Sequence, residues 1–307
     1  MSIAARSADA EPGFAPRRAI GRTGFMATRI GAGDLADSSL PFEACVGTLR
    51  RALDAGLNVV DTAPAYEDGL SERIVGAALD GRLREEVFVI DKIDHLDKPV
   101  APQIDGSLGR LGLDAVDLFV FHGLKRMQDW RALAAPGGGF DALAACVRAG
   151  KVRFGGISSH HPDVLIEALR SGRCDAVMFP VGPFVHRRYL DEVLPLAHAL
   201  GVGTISFKTF GAGMLIADTA GYGKPLAPGT PARPHERLSV SDCIRHTLTY
   251  DPDVALLGLS TLAEQDAAFA AAHDFAPLAP SDLQALEARA ATVIAGKGPT
   301  WWNPDVA

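Results

Sequence analysis

Four polar side chains follow short apolar runs that have the composition of buried strands. Asp61, Lys92 and His122 each end one run, and Tyr66 lies in the loop after Asp61. A buried tyrosine hydroxyl beside a lysine ammonium, itself paired with a carboxylate, can have its pKa of about 10 lowered, because the positive charge favours phenolate. Tyr66 is therefore predicted to act as a general acid near neutral pH. His122, as a neutral imidazole donor, is expected to hold and polarise a carbonyl oxygen beside Tyr66.

The elements that position these residues repeat as an apolar run, a loop and an amphipathic stretch. Runs rich in Val, Ile and Phe predict strands at 28–33, 58–62, 87–91, 116–121, 152–157, 175–180, 203–207 and 254–258. One helix is predicted in 42–56, where Gly56 supplies the C-terminal stop. The apolar face of that helix consists of Phe42, Cys45, Val46, Leu49, Ala52 and Leu53. Another helix is predicted after Pro280, where Ser281 and Gln284 have the spacing of a capping box.

Eight such units, in a span of about 250 residues, fit a closed (β/α)₈ TIM barrel of the α/β class. A short N-terminal β-hairpin, RRAIGRTGFMATRI, is predicted before the barrel, with its turn at Arg22, Thr23 and Gly24. An open doubly wound sheet is the weaker interpretation, because no G-x-G-x-x-G follows the first strand. In a TIM barrel the catalytic groups lie at the carboxyl ends of the strands, so this fold brings the four polar residues together.

The composition of the chain argues against several other classes of protein. The chain has 307 residues, 48% hydrophobic, with a net charge of −7 and no basic stripe, so no nucleic-acid partner is expected. Its four cysteines lie far apart, without zinc spacing or disulfide density, which favours a cytoplasmic protein without a metal site. No run approaches the roughly 20 apolar residues of a membrane span, so no membrane partner is expected. Residues 1–16 lack a signal-peptide core and are interpreted as a flexible arm before a single catalytic domain, 17–307.

The motifs around the four polar residues resemble those of the aldo-keto reductase superfamily. They are DTAPAYEDGLSERIVGAAL (61–79), VIDKI (89–93) and FVFHG (119–123), and the resemblance covers roughly residues 17 to 275. All members of the family's Asp, Tyr, Lys, His tetrad are present in order, as Asp61, Tyr66, Lys92 and His122. The resemblance implies hydride transfer between the nicotinamide C4 and a carbonyl carbon, with Tyr66 as the proton donor. The reverse oxidation of an alcohol uses the same groups.

The resemblance also implies contacts with a nicotinamide cofactor, NADP(H) or NAD(H). Ser158 matches the serine that holds the carboxamide, but Ser159 stands where Asn is usual and Met178 where many members have Gln. Phe207 matches the aromatic residue that stacks on the nicotinamide ring. A Gly- and Pro-rich loop, from Lys208 to about Leu238, is expected to cover the pyrophosphate. The predicted cofactor-binding residues are Gly33, Ser158, Ser159, Met178, Phe207, Lys208, Gly211, Gly213, Gly258, Ser260, Thr261 and Glu264.

The segment GLSTLAEQ (258–265) matches the family's adenosine-phosphate segment and bears on the choice of cofactor. No Lys or Arg occurs from Leu256 through Asp274. Glu264 lies close to where many relatives have a basic or neutral residue, and its carboxylate would repel a 2′-phosphate and could accept a hydrogen bond from a ribose hydroxyl. NAD(H) is therefore predicted to be usable, with at most a modest preference for NADP(H).

The predicted function is reduction of a small aldehyde, ketone or sugar-like carbonyl by an NAD(P)-dependent oxidoreductase. One alternative is an alcohol or sugar dehydrogenase that works in the oxidative direction. Another is a redox-sensing binding protein of the potassium-channel β-subunit type, which retains the cofactor. The sequence leaves open the substrate, the direction, the oligomeric state and the role of Trp301 and Trp302, which either close the chain end or line the substrate pocket.

Overall fold

The computed structural model describes Phe14 and residues 16–82 and 84–303. Its N-terminal ribbon pairs β1 (Arg18–Ala19) with β2 (Met26–Ala27) in antiparallel orientation. A 3-10 turn at Gly21–Thr23 joins these strands, and Gly24 follows with a φ of 74°, a left-handed conformation that suits glycine. The predicted hairpin and its turn are confirmed.

Eight parallel strands close into a barrel whose order follows the chain, with the last strand paired to the first. They are β3 (Ile30–Ala32), β4 (Val59–Asp61), β5 (Phe88–Ile93), β6 (Val116–Leu124), β7 (Val152–Ser159), β8 (Ala176–Pro180), β9 (Gly203–Phe207) and β10 (Val254–Leu257). Every predicted barrel strand is present, and no bound differs from the predicted one by more than three residues. The predicted (β/α)₈ fold is therefore confirmed.

Helices connect these strands and pack around them. They are α1 (Phe42–Asp54), α2 (Leu70–Leu79), α3 (Val100–Leu111), α4 (Met127–Ala134), α5 (Gly139–Arg148), α6 (Pro162–Arg170), α7 (Leu194–Ala199), α8 (Val240–Thr249), α9 (Leu262–His273) and α10 (Pro280–Ile294). The predicted apolar face of α1 is buried except for Phe42, which is 37% exposed in the first turn. The predicted capping box of α10 is wrong, because Pro280 takes the first helical position and Ala279 is the N-cap residue.

The core of the barrel has two layers, and a third, separate apolar cluster joins α8 and α10 to the loop after β9 and to Trp302. One layer lies between the strands and the surrounding helices, and the other fills the barrel with side chains such as Ile90, Leu118 and Met178. Ile20 of the hairpin belongs to the inner layer and packs against Gly203, the first residue of β9. The hairpin therefore covers the amino-terminal end of the barrel and leaves the carboxyl ends of the strands for a site.

Phe14, which lies within the arm predicted for residues 1–16, packs against the outside of α9. Its ring is buried and stacks on His273, with 4.6 Å between ring centroids. Residues 1–13 and 15, which make up the rest of that arm, lie outside the described residues.

Candidate active site

Lys92 is the buried centre of a polar cluster at the carboxyl ends of the strands. Its Nζ donates to Asp61 Oδ1 at 2.6 Å and to the carbonyl oxygen of Thr62 at 2.7 Å. The contact is possible because β4 and β5 are neighbouring parallel strands. Burial works against the charged ammonium, but Asp61 and Tyr66 together outweigh it and raise the pKa of Lys92. Lys92 therefore stays positively charged in the barrel.

Tyr66 lies directly beside this ion pair. Lys92 Nζ lies 4.5 Å from the centroid of the Tyr66 ring. Burial raises the pKa of Tyr66, and the charge of Lys92 opposes that rise without cancelling it. The lowered pKa predicted for this tyrosine is therefore wrong, because the site that supplies the cation also removes water. Tyr66 is held as a protonated phenol, the form that donates a proton.

His122 is the fourth of the predicted residues, and it contacts Asp94, which was not among them. Its ring meets the Tyr66 ring edge-on, with 5.9 Å between centroids. His122 Nδ1 lies 2.5 Å from Asp94 Oδ1, and the amide of Ala65 donates to Asp94 Oδ2 at 2.8 Å. Asp94 follows Lys92 by two residues, the spacing that places side chains on one face of a strand. This two-residue spacing is the feature of the sequence from which Asp94 could have been predicted as a site residue.

Asp34 is a second acidic residue that sequence reasoning missed at this end of the barrel. It follows β3, and the amide of Ala36 donates to its Oδ1 at 3.0 Å. Burial raises the pKa of Asp34, and the nearby Asp61 carboxylate adds to the rise. The site therefore combines one buried ammonium with carboxyl groups from three successive strand ends, Asp34, Asp61 and Asp94.

The residues predicted to hold the carboxamide differ in what they can offer. Ser158 is buried at the end of β7, and its hydroxyl makes no hydrogen bond to any described residue. The Ser159 hydroxyl instead donates to the carbonyl oxygen of Leu124 at 2.6 Å and accepts from the amide of His161. Met178 belongs to the apolar layer inside the barrel. Of these three, Ser158 alone has a hydroxyl that is available to a ligand.

Phe207 ends β9 and lies half-buried above the inner layer of the core. The ring of His160 meets it edge-on at 5.3 Å, and burial lowers the pKa of His160 to about 3. Lys208 Nζ lies 5.4 Å from the Phe207 centroid, 4.8 Å from that of Tyr222 and 5.9 Å from that of Trp301. The Lys208 ammonium also hydrogen bonds the Tyr222 hydroxyl. Three aromatic rings thus surround this cation, an arrangement that stabilises positive charge.

The predicted glycines occupy turns beside this cluster. Gly211 and Gly213 follow β9 with φ values of 54° and 88°, so both have the left-handed conformation that glycine adopts readily. Gly33 donates its amide to the carbonyl oxygen of Leu257 at 2.8 Å. A side chain at Gly258 would meet no atom within 4 Å, so Gly258 faces open space. Of these four glycines, Gly258 is the one beside which a ligand finds open space, on the rim between β10 and α9.

Glu264 has a structural role that the sequence analysis did not assign. Thr261 is the N-cap residue of α9, and its Oγ1 accepts from the amide of Glu264 at 3.2 Å. Glu264 Oε2 in turn accepts from the amide of Thr261 at 3.1 Å. The T-x-x-E spacing is the signature of this capping box. Ser260, beside it, is exposed at the same rim.

Two arginines near the expected cofactor site, Arg51 and Arg237, are paired with acids. Arg51 of α1 donates to two residues of α9, to Gln265 at 2.8 Å and to Asp266 at 2.5 Å. A cation therefore lies beside α9, although the α9 segment itself has no Lys or Arg. In the long loop, Arg237 donates to Asp218 Oδ2 at 2.7 Å. The charges that could attract a phosphate are thus already partly compensated.

The two C-terminal tryptophans have different surroundings. The Trp302 side chain is fully buried, and its Nε1 donates to the carbonyl oxygen of Phe184 at 2.9 Å. Trp301 is 40% exposed and lies over Tyr222, with 5.6 Å between ring centroids. Trp302 therefore anchors the chain end by packing and hydrogen bonding, whereas Trp301 lies beside Lys208 and Tyr222.

Two further features bear on the class of site. Among residues 14, 16–82 and 84–303, no group of three or more His, Cys, Asp or Glu side chains is arranged to hold a metal ion. The described helices include none with the length and apolar character of a membrane span.

Comparison with known proteins defines the class. The model of the aldo/keto reductase family matches residues 28–286, which is most of the chain. The chain therefore belongs to the aldo-keto reductase family.

Several curated relatives are similar to this chain. It is 28% identical over 211 residues to the NADH-specific methylglyoxal reductase of Escherichia coli (strain K12), covering 60% of this chain and 61% of that protein. It is 28% identical over 227 residues to L-galactose dehydrogenase of Arabidopsis thaliana, with coverage of 69% and 70%. It is 30% identical over 200 residues to D-threo-aldose 1-dehydrogenase of Pseudomonas sp, with coverage of 54% and 60%. The alignments thus span about two thirds of these relatives or less.

Solved structures share the fold. The holo form of an aldo-keto reductase from Bacillus halodurans superposes with a TM-score of 0.71 at 23% identity, covering 89% of this chain and 95% of that one. An aldo-keto reductase from Klebsiella pneumoniae in complex with NADPH gives a TM-score of 0.67 at 19% identity, with coverage of 91% and 94%.

Proposed function

We propose that this protein is an NAD(P)-dependent oxidoreductase that reduces a small aldehyde, ketone or sugar-like carbonyl, with Tyr66 as the proton donor. The observation that carries the proposal is the contact between the buried Lys92–Asp61 ion pair and the Tyr66 ring. A neutral phenol beside a fixed ammonium can release a proton to an oxyanion, because the ammonium stabilises the phenolate that remains. His122, whose ring meets Tyr66 edge-on, provides the second polar contact for the substrate oxygen.

The residues at the rim fit a nicotinamide dinucleotide. Phe207 offers an aromatic face, Ser158 a hydroxyl without a partner among the described residues, and Gly258 an open position at the start of the α9 segment. When bound, such a cofactor supplies or accepts a hydride at C4 of its nicotinamide ring. The protein's own part is to position the carbonyl carbon and to move one proton at the Tyr66 hydroxyl. We retain both NADP(H) and NAD(H), since related proteins are named for either.

The acidic rim favours a substrate with hydroxyl groups. Asp34 and Asp94 both lie at the carboxyl end of the barrel, beside Lys92 and Tyr66. Carboxylates accept hydrogen bonds from hydroxyl donors. Two of the similar proteins are named as sugar dehydrogenases and one as a methylglyoxal reductase. We therefore assign small polar carbonyls, sugar-like ones included, to this site. The four widely spaced cysteines support the cytoplasm as the location that we propose for the protein.

A substrate panel tests the proposal. Purified protein is mixed with NADH or NADPH and small aldehydes, ketones or aldoses, and nicotinamide absorbance is followed; alcohols and sugars with NAD or NADP test the reverse direction. Turnover with a polar carbonyl supports the proposal. Tight retention of cofactor without turnover in either direction would instead favour the redox-sensing alternative.

A further inference from the structure

Asp94 forms the shortest polar contact that His122 makes. His122 Nδ1 and Asp94 Oδ1 lie 2.5 Å apart, and the Ala65 amide fixes the other carboxylate oxygen. Burial works against the charge of Asp94, but the hydrogen bonds from His122 and from Ala65 lower its pKa. The carboxylate therefore stays ionised. An ionised carboxylate only accepts hydrogen bonds, so the hydrogen of this contact belongs to His122 Nδ1.

This assignment determines what the other ring nitrogen can do. A neutral imidazole has one N–H, and a proton on Nδ1 leaves Nε2 with a lone pair. Nε2 then accepts a hydrogen bond from an alcohol but cannot donate one to a carbonyl oxygen. It becomes a donor only when the ring takes up a second proton. The neutral donor expected from the sequence is therefore incompatible with the contact to Asp94.

We propose that Asp94 is a positioning residue that fixes the Nδ1–H form of His122. In this arrangement His122 assists carbonyl reduction as an imidazolium and assists alcohol oxidation as a neutral acceptor. The inference deepens the proposed oxidoreductase function and rests on it. In reduction, hydride reaches the carbonyl carbon, Tyr66 supplies the proton to the oxygen, and His122 donates a hydrogen bond without losing its proton.

The other groups around His122 do not supply an equivalent charge. Asp61 and Lys92 form an ion pair with each other, and Tyr66 is held as a neutral phenol. His160, which faces His122 from the end of β7, has its pKa lowered by burial and by neighbouring cations to about 3, so it is neutral across the working range. Asp94 is therefore the carboxylate in direct contact with His122, and its negative charge compensates an imidazolium there.

Nitrogen NMR of the full-length protein tests the tautomer without requiring turnover. Uniform ¹⁵N-histidine labelling, with His122→Gln to identify the signal, reports which nitrogen carries the proton when the ring is neutral. We expect Nδ1–H in the wild type and a shift toward Nε2–H in Asp94→Ala. A neutral wild-type His122 protonated on Nε2 would overturn the proposal, whether or not the protein proves to be an oxidoreductase.

The pH profile tests the consequence for catalysis. In the wild type, kcat/KM for reduction should be lower at alkaline than at acid pH, because the neutral Nδ1–H form cannot donate from Nε2, while oxidation should show the opposite trend. In Asp94→Ala the alkaline fall in reduction should flatten, because neutral His122 can then donate from Nε2. Asp94→Glu should restore the wild-type shape, and Asp97→Ala, which removes an exposed acid of the same loop, should leave it unchanged. Identical profiles for Asp94→Ala and the wild type would contradict the role of Asp94.

Discussion

The charge of Lys92 affects both of the residues that contact it, Asp61 and Tyr66. It neutralises Asp61 in a buried site and places a positive charge beside the Tyr66 ring. Lys92 could be predicted as a site residue from the sequence, because it ends a predicted strand. It did not indicate the opposing effect of burial, because removal of water depends on how loops and helices pack over the barrel.

A substitution at Lys92 separates charge from folding. Lys92→Met retains most of the side-chain volume but removes the ammonium, so proton transfer from Tyr66 should slow by about 10²-fold or more. The variant also leaves Asp61 buried without its partner, which should cost about 3–5 kcal/mol of stability. The double variant Lys92→Met/Asp61→Asn should recover melting temperature and remain inactive. Recovery of activity in the double variant would show that the ammonium is dispensable.

Asp91 is a buried acid whose charge has no evident catalytic use. Its Oδ1 accepts from the amide of Lys92 at 2.7 Å, and its Oδ2 has no hydrogen-bond partner among the described residues. Burial and the nearby Glu72 carboxylate raise the pKa of Asp91. The folded protein therefore binds this proton more tightly than the unfolded chain, and the resulting stabilisation is lost as pH rises through the raised pKa.

Asp91→Asn should stabilise the protein at neutral and alkaline pH. The amide retains an acceptor for the Lys92 N–H and removes the buried charge, so we expect a gain of about 1–3 kcal/mol near pH 8. The gain should shrink as pH falls, because wild-type Asp91 then becomes protonated. Urea denaturation of both proteins at several pH values measures it. Asp117→Asn is the matched control and should destabilise, because Asp117 is paired with Arg84 and Arg153.

At the scale of elements, the strands were predictable and some helix ends were not. Runs of Val, Ile and Phe indicated the barrel strands because parallel strands are buried on both faces. The S/T-x-x-E spacing at Thr261 and Glu264 was present in the sequence, but Glu264 was interpreted as a ribose contact. Conversely, Ser281 and Gln284 had a capping spacing that the structure does not use. The local pattern alone does not reveal which residue begins the helix.

The capping box suggests a cleaner test of cofactor preference. Glu264→Gln retains a side-chain oxygen for the Thr261 amide and removes only the charge, so kcat/KM for NADPH relative to NADH should rise by about fivefold, corresponding to roughly 1 kcal/mol. Glu264→Ala should change the ratio similarly but also lower stability by about 0.3–1.5 kcal/mol. An unchanged ratio in both variants would mean that Glu264 does not lie beside the adenosine ribose.

At the scale of the whole molecule, the chain end is tied to the loops at the carboxyl face of the barrel. The Trp302 carbonyl oxygen accepts from the Tyr189 hydroxyl at 3.0 Å, and Lys297 Nζ donates to the carbonyl oxygens of Met214 and Ala217. These contacts join the tail after α10 to the segment between β8 and α7 and to the loop after β9. Such long-range contacts could not be predicted from the sequence, because the tail has no repeat or motif that specifies its partner.

The two tryptophans offer a matched pair of variants. Trp302→Ala removes a fully buried indole and should lower the free energy of unfolding by about 3–5 kcal/mol. Trp301→Ala should change stability little, because that side chain is partly exposed, and should alter KM by loosening the Lys208 and Tyr222 contact. Thermal denaturation and steady-state kinetics compare them. Equal losses of stability would show that the two residues share one structural role.

Tyr66 is the residue that we propose donates the proton when a carbonyl is reduced. The most direct measurement compares kcat/KM of the wild type and Tyr66→Phe on the best carbonyl substrate, with cofactor affinity and melting temperature measured on the same samples. Removal of one hydroxyl should lower kcat/KM by at least about 10²-fold. Cofactor affinity and melting temperature should stay close to wild type. Comparable kcat/KM values for the two proteins would contradict the account.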